Sequence, residues 1–252
     1  MNQVEICCGS YQDGIAAHQG GAKRIELNSA LSVGGLTPSV VALRRLKKET
    51  DLKVMCMVRP RAGGFCYDET DTAIMMEEAE LLLENGADGI VFGFLKEDKT
   101  IDEKKTQDMV KLIKSYQKEA VFHRAIDVTM NIDEAVQCLI HCGVDRILTS
   151  GQRAKAMEGI ECIAHMQKAY GDRIQILPGS GMNAQNAQEM LEKTQVHQIH
   201  SSCKSFAHDP TTVSQYVTYA YMQAPHESDY DQVDAALVKQ LVDVVIDRKS
   251  VV

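Results

Sequence analysis

The sequence predicts an α/β protein built as a single (β/α)8 barrel of the TIM type, and three observations carry the prediction. Eight short β-rich runs recur along the chain, segments of helical periodicity lie between them, and the length of 252 residues suits one such barrel, for which roughly 250 residues is usual. A helix between two strands returns the chain to start the next strand in the same direction, so this alternation calls for a parallel sheet. Eight units favour closure over an open sheet. No Pro/Gly/Ser-rich linker divides the chain, so residues 1–252 read as one domain.

The first run, Val4 to Cys8, puts Glu5 and Cys7 on one face and Ile6 and Cys8 on the other, because successive strand side chains point to opposite faces. The second, Arg24 to Asn28, repeats the pattern with Arg24, Glu26 and Asn28 against Ile25 and Leu27. Thr37 before Pro38 reads as the N-cap and first residue of a helix. The third run, Lys53 to Val58, leads into Arg59-Pro60-Arg61 and the loop Ala62-Gly63-Gly64-Phe65. Ile74, Met75, Ala79, Leu82 and Leu83 form a helical stripe that closes at Asn85-Gly86. Gly89 to Phe92 is the fourth run, and Met109, Leu112, Ile113 and Tyr116 mark the helix behind it. The fifth, Ala120 to His123, continues into Arg124-Ala125-Ile126-Asp127. Asn131 caps a helix from Ile132 that ends at Cys142-Gly143; Cys138 and Cys142 lie on it, four apart, and read as core packing rather than ligands. Arg146 to Thr149, Ile174 to Leu177 and Gln198 to His200 complete the eight, with a helix expected from Asn183 after the seventh. The stretch from Ser205 to Asp229 breaks the rhythm and reads as an irregular excursion before the last helix. Its Tyr216, Tyr219 and Tyr221 suit self-association, so a homo-oligomer, a dimer or larger, is expected.

Composition narrows the function classes. With 44% hydrophobic and 25% charged residues the chain is an ordinary globular protein. A net charge of −8 without long basic runs argues against nucleic acid and anionic lipid as partners. No apolar stretch is long enough to span a membrane, and the start, MNQVEICCGS, lacks an export signal, which leads to the expectation of a cytoplasmic protein. Its eight cysteines are then expected as free thiols, without a CxxC pair among them.

In a barrel the outer strand face packs on helices, so the polar face of each strand must point inward, with its later residues nearest the C-terminal mouth. This collects Glu5, Cys7, Glu26, Asn28, Arg59, His123 and His200 at one end. Glu5 and Glu26 read either as acid/base groups or as a polar scaffold, since Arg24 is able to pair with a carboxylate. His123 and His200 supply acid/base chemistry or a metal ligand, and Asp127 joins His123 at the end of the fifth strand. Arg59 and Arg61 are guanidinium forks suited to carboxylate or phosphate. Pro178-Gly179-Ser180-Gly181 gives half of a phosphate loop through Gly179 and Gly181, and Ser150 and Gly151 of the sixth loop extend it.

The same segments resemble the CutC copper-homeostasis family. The matching motifs are IELNSALSVGGLTPS from Ile25, VRPRAGGFCY from Val58, ADGIVFGFL from Ala87, FHRAID from Phe122, DRILTSGQ from Asp145 and ILPGSGMNAQN from Ile176. They run in the family's order between Val4 and about Ser202. The resemblance implies a cytoplasmic barrel linked to copper handling, with Cu(I) bound at mouth cysteines. Cys7 falls where the family has a copper-binding cysteine. At the end of the second strand, where the family frequently has another, this chain has Asn28. An amide is a poor donor for Cu(I), which prefers thiolate and thioether. Replacement donors are Cys66, just after the third strand, and Met57, which shares the inward face of Arg59. Two functions are thus expected: a copper-homeostasis protein binding Cu(I) through Cys7 and Cys66, or an acid/base enzyme of isomerase or lyase type on a small anionic or phosphorylated metabolite. No fingerprint of an organic cofactor is present.

Overall fold

The computed structural model describes residues 2–246. Eight strands, β1 (Gln3–Cys8), β2 (Arg24–Leu27), β3 (Lys53–Met57), β4 (Gly89–Phe92), β5 (Glu119–Phe122), β6 (Arg146–Thr149), β7 (Gln175–Pro178) and β8 (Gln198–Ser201), alternate with helices. These are α1 (Tyr11–Gln19), α2 (Val40–Glu49), α3 (Glu69–Glu84), α4 (Glu103–Ser115), α5 (Ile132–His141), α6 (Ile160–Tyr170), α7 (Ala187–Thr194) and α8 (Ala235–Ile246). The strands are parallel and ordered β7-β6-β5-β4-β3-β2-β1-β8. The sheet curls into a nearly closed barrel. Across the seam between β7 and β8, Gln198 Nε2 donates to Gln175 Oε1 at 3.1 Å.

Strand alternation separates two interiors. Ile6, Ile25, Val54, Ile90, Phe122, Ile147, Ile176 and Ile199 face outward and join the apolar layer under the helices with Leu46, Met75, Met109, Val136, Ile163 and Met190. Inside the barrel, Met55, Met57, Val91 and Val121 form a separate apolar cluster against β3, β4 and β5. Toward β1, β2 and β8 the inner face becomes polar and charged. Glu5 Oε2 meets Arg24 Nε at 2.5 Å and Arg146 Nη1 at 3.8 Å. Arg24 also donates to Gln3 and Gln198, and Arg146 to Gln175 and, in a short ion pair, to Glu119. Burying such charges is favourable only when partners surround them, and here each guanidinium has several.

Some local expectations shift by a few residues. Asn131 caps α5 as expected, its Oδ1 accepting from the amides of Asp133 and Glu134. Thr37 does not cap α2: Ser39 does, its Oγ accepting from Ala42 N. The Thr37 hydroxyl is engaged elsewhere, donating to Glu78 at 2.6 Å and accepting from Arg59 N at 3.0 Å, so the chain stays extended through Pro38. Asn183 caps a turn, accepting from Gln185 N and Asn186 N, and α7 begins only at Ala187. The excursion after β8 is more ordered than expected. β9 (Lys204–His208) and β10 (Asp229–Val233) pair antiparallel, and Val233 N donates to Asp13 Oδ1 at 2.8 Å, which ties the hairpin to the start of α1. Between them Tyr216, Tyr219 and Tyr221 stay 87%, 79% and 49% exposed. No helix among the described residues is long and apolar enough to cross a membrane.

Candidate functional site

The C-terminal mouth of the barrel holds a cavity of about 470 Å³. One arc of its wall comes from β8, β1 and β2 and carries Cys7, Glu26 and His200; the other comes from β3, β5, β6 and β7 and carries Arg59, His123, Arg124, Lys155 and Gly181. Met57 and Phe65 also line it.

On the first arc, one donor atom each of Cys7, Glu26 and His200 lies within 4.8 Å of the others. Cys7 Sγ is 3.7 Å from Glu26 Oε2, and His200 Nε2 is 4.0 Å from the same oxygen. Asn28, one residue beyond β2, donates from Nδ2 to Glu26 Oε2 at 2.9 Å and lies 3.7 Å from Cys7 Sγ. Glu5 sits one layer deeper, where its Oε1 is 2.9 Å from His200 Nδ1. Burial opposes its ionisation, but Arg24, His200 and Arg146 outweigh that and hold its carboxyl down at about 2. An ionised Glu5 accepts a hydrogen bond from His200 Nδ1–H, which in the neutral ring leaves Nε2 with its lone pair toward Glu26 and Cys7.

The charges of this arc are poised rather than fixed. Burial, with the neighbouring Glu26, pushes the Cys7 thiol well up, so it carries its proton near neutrality. Burial likewise raises Glu26, against the pull of His200 and Asn28, and its Oε1 has no hydrogen-bond partner among the described residues. For His200 burial acts to lower the value, but the Glu26 and Glu5 carboxylates prevail and raise it.

His123, at the end of β5, is built differently. Its Nδ1 accepts from Ala125 N at 3.1 Å, which places the ring proton on Nε2. Burial, with Arg59 and Arg124 close by, drives its value down to about 3, so the ring is neutral. Phe65 covers it at a centroid distance of 4.8 Å. Gly93 makes the position possible, because a Cβ there would lie 2.4 Å from His123 Cε1. This imidazole is a fixed N–H donor.

The other expected residues are distributed as follows. Arg59 lines the cavity but also staples the loops, donating to the carbonyls of Val33, Gly35 and Gly63. Asp127 lies behind the wall, accepting from Thr149, Ser150, Gln152 and Arg124, and thereby shapes the β6 loop. Ser150 is buried in that network and does not line the cavity. Gly181 lines it; Gly179 packs beneath, where a Cβ would lie 2.7 Å from Leu148 Cδ1. Arg61 pairs with Asp71 at 2.7 Å and lies over the Tyr67 ring, away from the cavity lining. Cys66 is exposed and is not part of the Cys7, Glu26 and His200 cluster. Cys8 faces the outer core as its strand position requires, and Cys142 packs in the same layer. Sequence reasoning missed Lys155 and Asp231, which reach the mouth from the long β6–α6 connection and from β10. Neither position carries a periodic or motif signal.

The fold and this mouth define the class: a (β/α)8 barrel with a polar pocket in which a thiol, an imidazole and a carboxylate converge. The chain belongs to the CutC family, whose model matches residues 2–205. A CutC family protein of Treponema denticola is 49% identical over 210 residues, covering 83% of this chain and 85% of the relative. A Drosophila melanogaster protein described as a copper homeostasis protein cutC homolog is 36% identical, with 83% and 82% covered. Among solved structures, a CutC from Streptococcus agalactiae superposes with a TM-score of 0.75 at 29% identity, covering 80% of this chain and 99% of the other. Phosphoribosylanthranilate isomerase of Thermotoga maritima, at 10% identity and a TM-score of 0.57 over 97% of this chain and 98% of its own, shares the fold alone.

Proposed function

We propose that this protein serves copper homeostasis by holding Cu(I) at the barrel mouth, with Cys7 and His200 as the principal ligands. The observation that carries the reading is the convergence of Cys7, Glu26 and His200 donor atoms within 4.8 Å. Family membership supplies the metal, and the donor set agrees with it. A thiolate and an imidazole suit Cu(I), whereas the Glu26 carboxylate is too hard to be a preferred ligand. Its part is to take the thiol proton, since it lies 3.7 Å from Cys7 Sγ and burial has made it more basic than an ordinary carboxylate. Glu5 orients the His200 ring from behind, as a carboxylate does for a metal-bound histidine. Met57 offers a thioether on the same cavity wall. Cys66, exposed and outside the cluster, adds nothing to the affinity.

Anaerobic titration of the reduced protein with Cu(I) against a competing chelator tests this. Cys7→Ser is expected to weaken binding at least 100-fold and His200→Asn at least tenfold, while Cys66→Ser leaves it within twofold. Undiminished affinity in Cys7→Ser would exclude the site.

A further inference from the structure

A cavity of about 470 Å³ is far larger than one ion fills, and the Cys7, Glu26 and His200 cluster occupies only its first arc. We infer that this arc is a binding subsite for the oxyanion group of a small molecule, a carboxylate or phosphate, which accepts a hydrogen bond from the neutral His123 Nε2–H between the Arg124 and Lys155 side chains.

His123 is only 4% exposed, yet its Nε2 meets no acceptor among the described residues. A buried donor without an acceptor costs about 1–3 kcal/mol; Nε2 has almost no exposure of its own, so a ligand oxygen reaches it as Phe65, which covers the ring, shifts aside, and then recovers that hydrogen bonding. The Nδ1 and Cε1 edge of the ring abuts Gly93 and accepts from Ala125, so the ring cannot rotate to satisfy Nε2 elsewhere. The surrounding charge has the sign an anion needs. Arg59, Arg124 and Lys155 all line the cavity, and among them only Arg124 is neutralised by a carboxylate, Asp127 at 3.0 Å. Arg124 uses Nε and Nη2 for Asp127, Ser150 and Arg153, which holds the guanidinium in place and leaves Nη1 for a ligand. Lys155 is exposed and makes no ion pair with any described residue. The Arg59 guanidinium is fixed by three backbone carbonyls, and its buried Nε meets no acceptor among the described residues.

The imidazole acts here as a donor and not as a proton shuttle. Guanidinium groups on both sides penalise a second positive charge on the ring, and a neutral N–H keeps its donor role without that penalty. The subsite uses none of the copper ligands, so it stands whether or not the mouth holds a metal.

Isothermal titration of the protein, freed of copper by a Cu(I) chelator, with inorganic phosphate and separately with malonate tests the inference at low ionic strength. At least one probe is expected to bind with one-to-one stoichiometry at millimolar or tighter affinity. His123→Phe, which keeps the packing against Phe65 but removes the donor, should weaken it at least tenfold. Lys155→Met should weaken it at least threefold; its side chain is exposed, so this variant decides the matter if His123→Phe fails to fold. Lys239→Met, an equal charge change on the outer face of α8, should leave affinity within twofold. In ¹⁵N-histidine spectra the His123 Nε2–H resonance should shift on saturation. Absence of binding to both probes, binding indifferent to both mouth substitutions, or an equal loss in Lys239→Met would overturn the inference. The relative affinity of the two probes identifies which oxyanion the subsite prefers.

Discussion

At the scale of single residues, the mouth shows how burial sets each side chain's chemistry. His123 is held at about 3 against an ordinary 6.5, by burial first and then by Arg59 and Arg124. Between those values the unfolded chain binds a proton that the folded one refuses. Stability from this group is therefore complete above 6.5 and is lost as pH falls toward 3. In urea denaturation, wild type should lose about 2 kcal/mol more than His123→Phe between pH 7.5 and pH 5. Equal losses would mean that the ring is protonated in the folded protein. Asn28 offers a second experiment. Its amide lies 3.7 Å from Cys7 Sγ and 2.9 Å from Glu26, so Asn28→Cys brings a second thiol beside the first at the expense of one hydrogen bond to a carboxylate. Cu(I) affinity should rise at least tenfold by chelator competition, and stability should fall by about 1–3 kcal/mol. Facing direction was legible from alternation, which put Cys7, Glu26 and His200 on the inner side. Depth was legible only within a strand, where Cys7 follows Glu5 toward the mouth; which residues of different strands share a layer was not, because that depends on the stagger between strands.

Elements were legible in proportion to their apolar pattern. The barrel strands carry runs such as Ile90-Val91-Phe92 and Ile147-Leu148, and they form within a residue or so of their expected positions. The β9–β10 hairpin escaped notice because both strands are largely polar and alternate between half-exposed and exposed. Its order comes from contacts distant in sequence, above all Val233 with Asp13. The connection between these strands presents three exposed tyrosines on a stretch without Lys or Arg. Brief chymotrypsin treatment should therefore cut first at Tyr216, Tyr219 or Tyr221 and leave the far-ultraviolet circular dichroism of the barrel unchanged, while trypsin spares this segment. Protection that grows with protein concentration would instead reveal self-association through these rings.

At the scale of the whole molecule, closure followed from the number of strand–helix units, and the seam between β7 and β8 was the part no local pattern described. The inside of the barrel bears on how the chain reaches its fold. Glu5 and Arg24 enter from the first half of the chain, whereas Arg146, Gln198 and His200 enter from the second, and they meet at distances from 2.7 to 3.8 Å across that division. A half-barrel keeps the Glu5–Arg24 or the Arg146–Glu119 pair but leaves these ions short of their remaining partners, and an incompletely partnered buried ion costs several kcal/mol. Chains cut between Gln117 and Lys118 should give two fragments with no cooperative melting transition alone and one shared transition when mixed. The charged interior thus ties closure to both ends of the polypeptide: Glu5, on the first strand, completes its set of partners only when Arg146 and His200 have joined it.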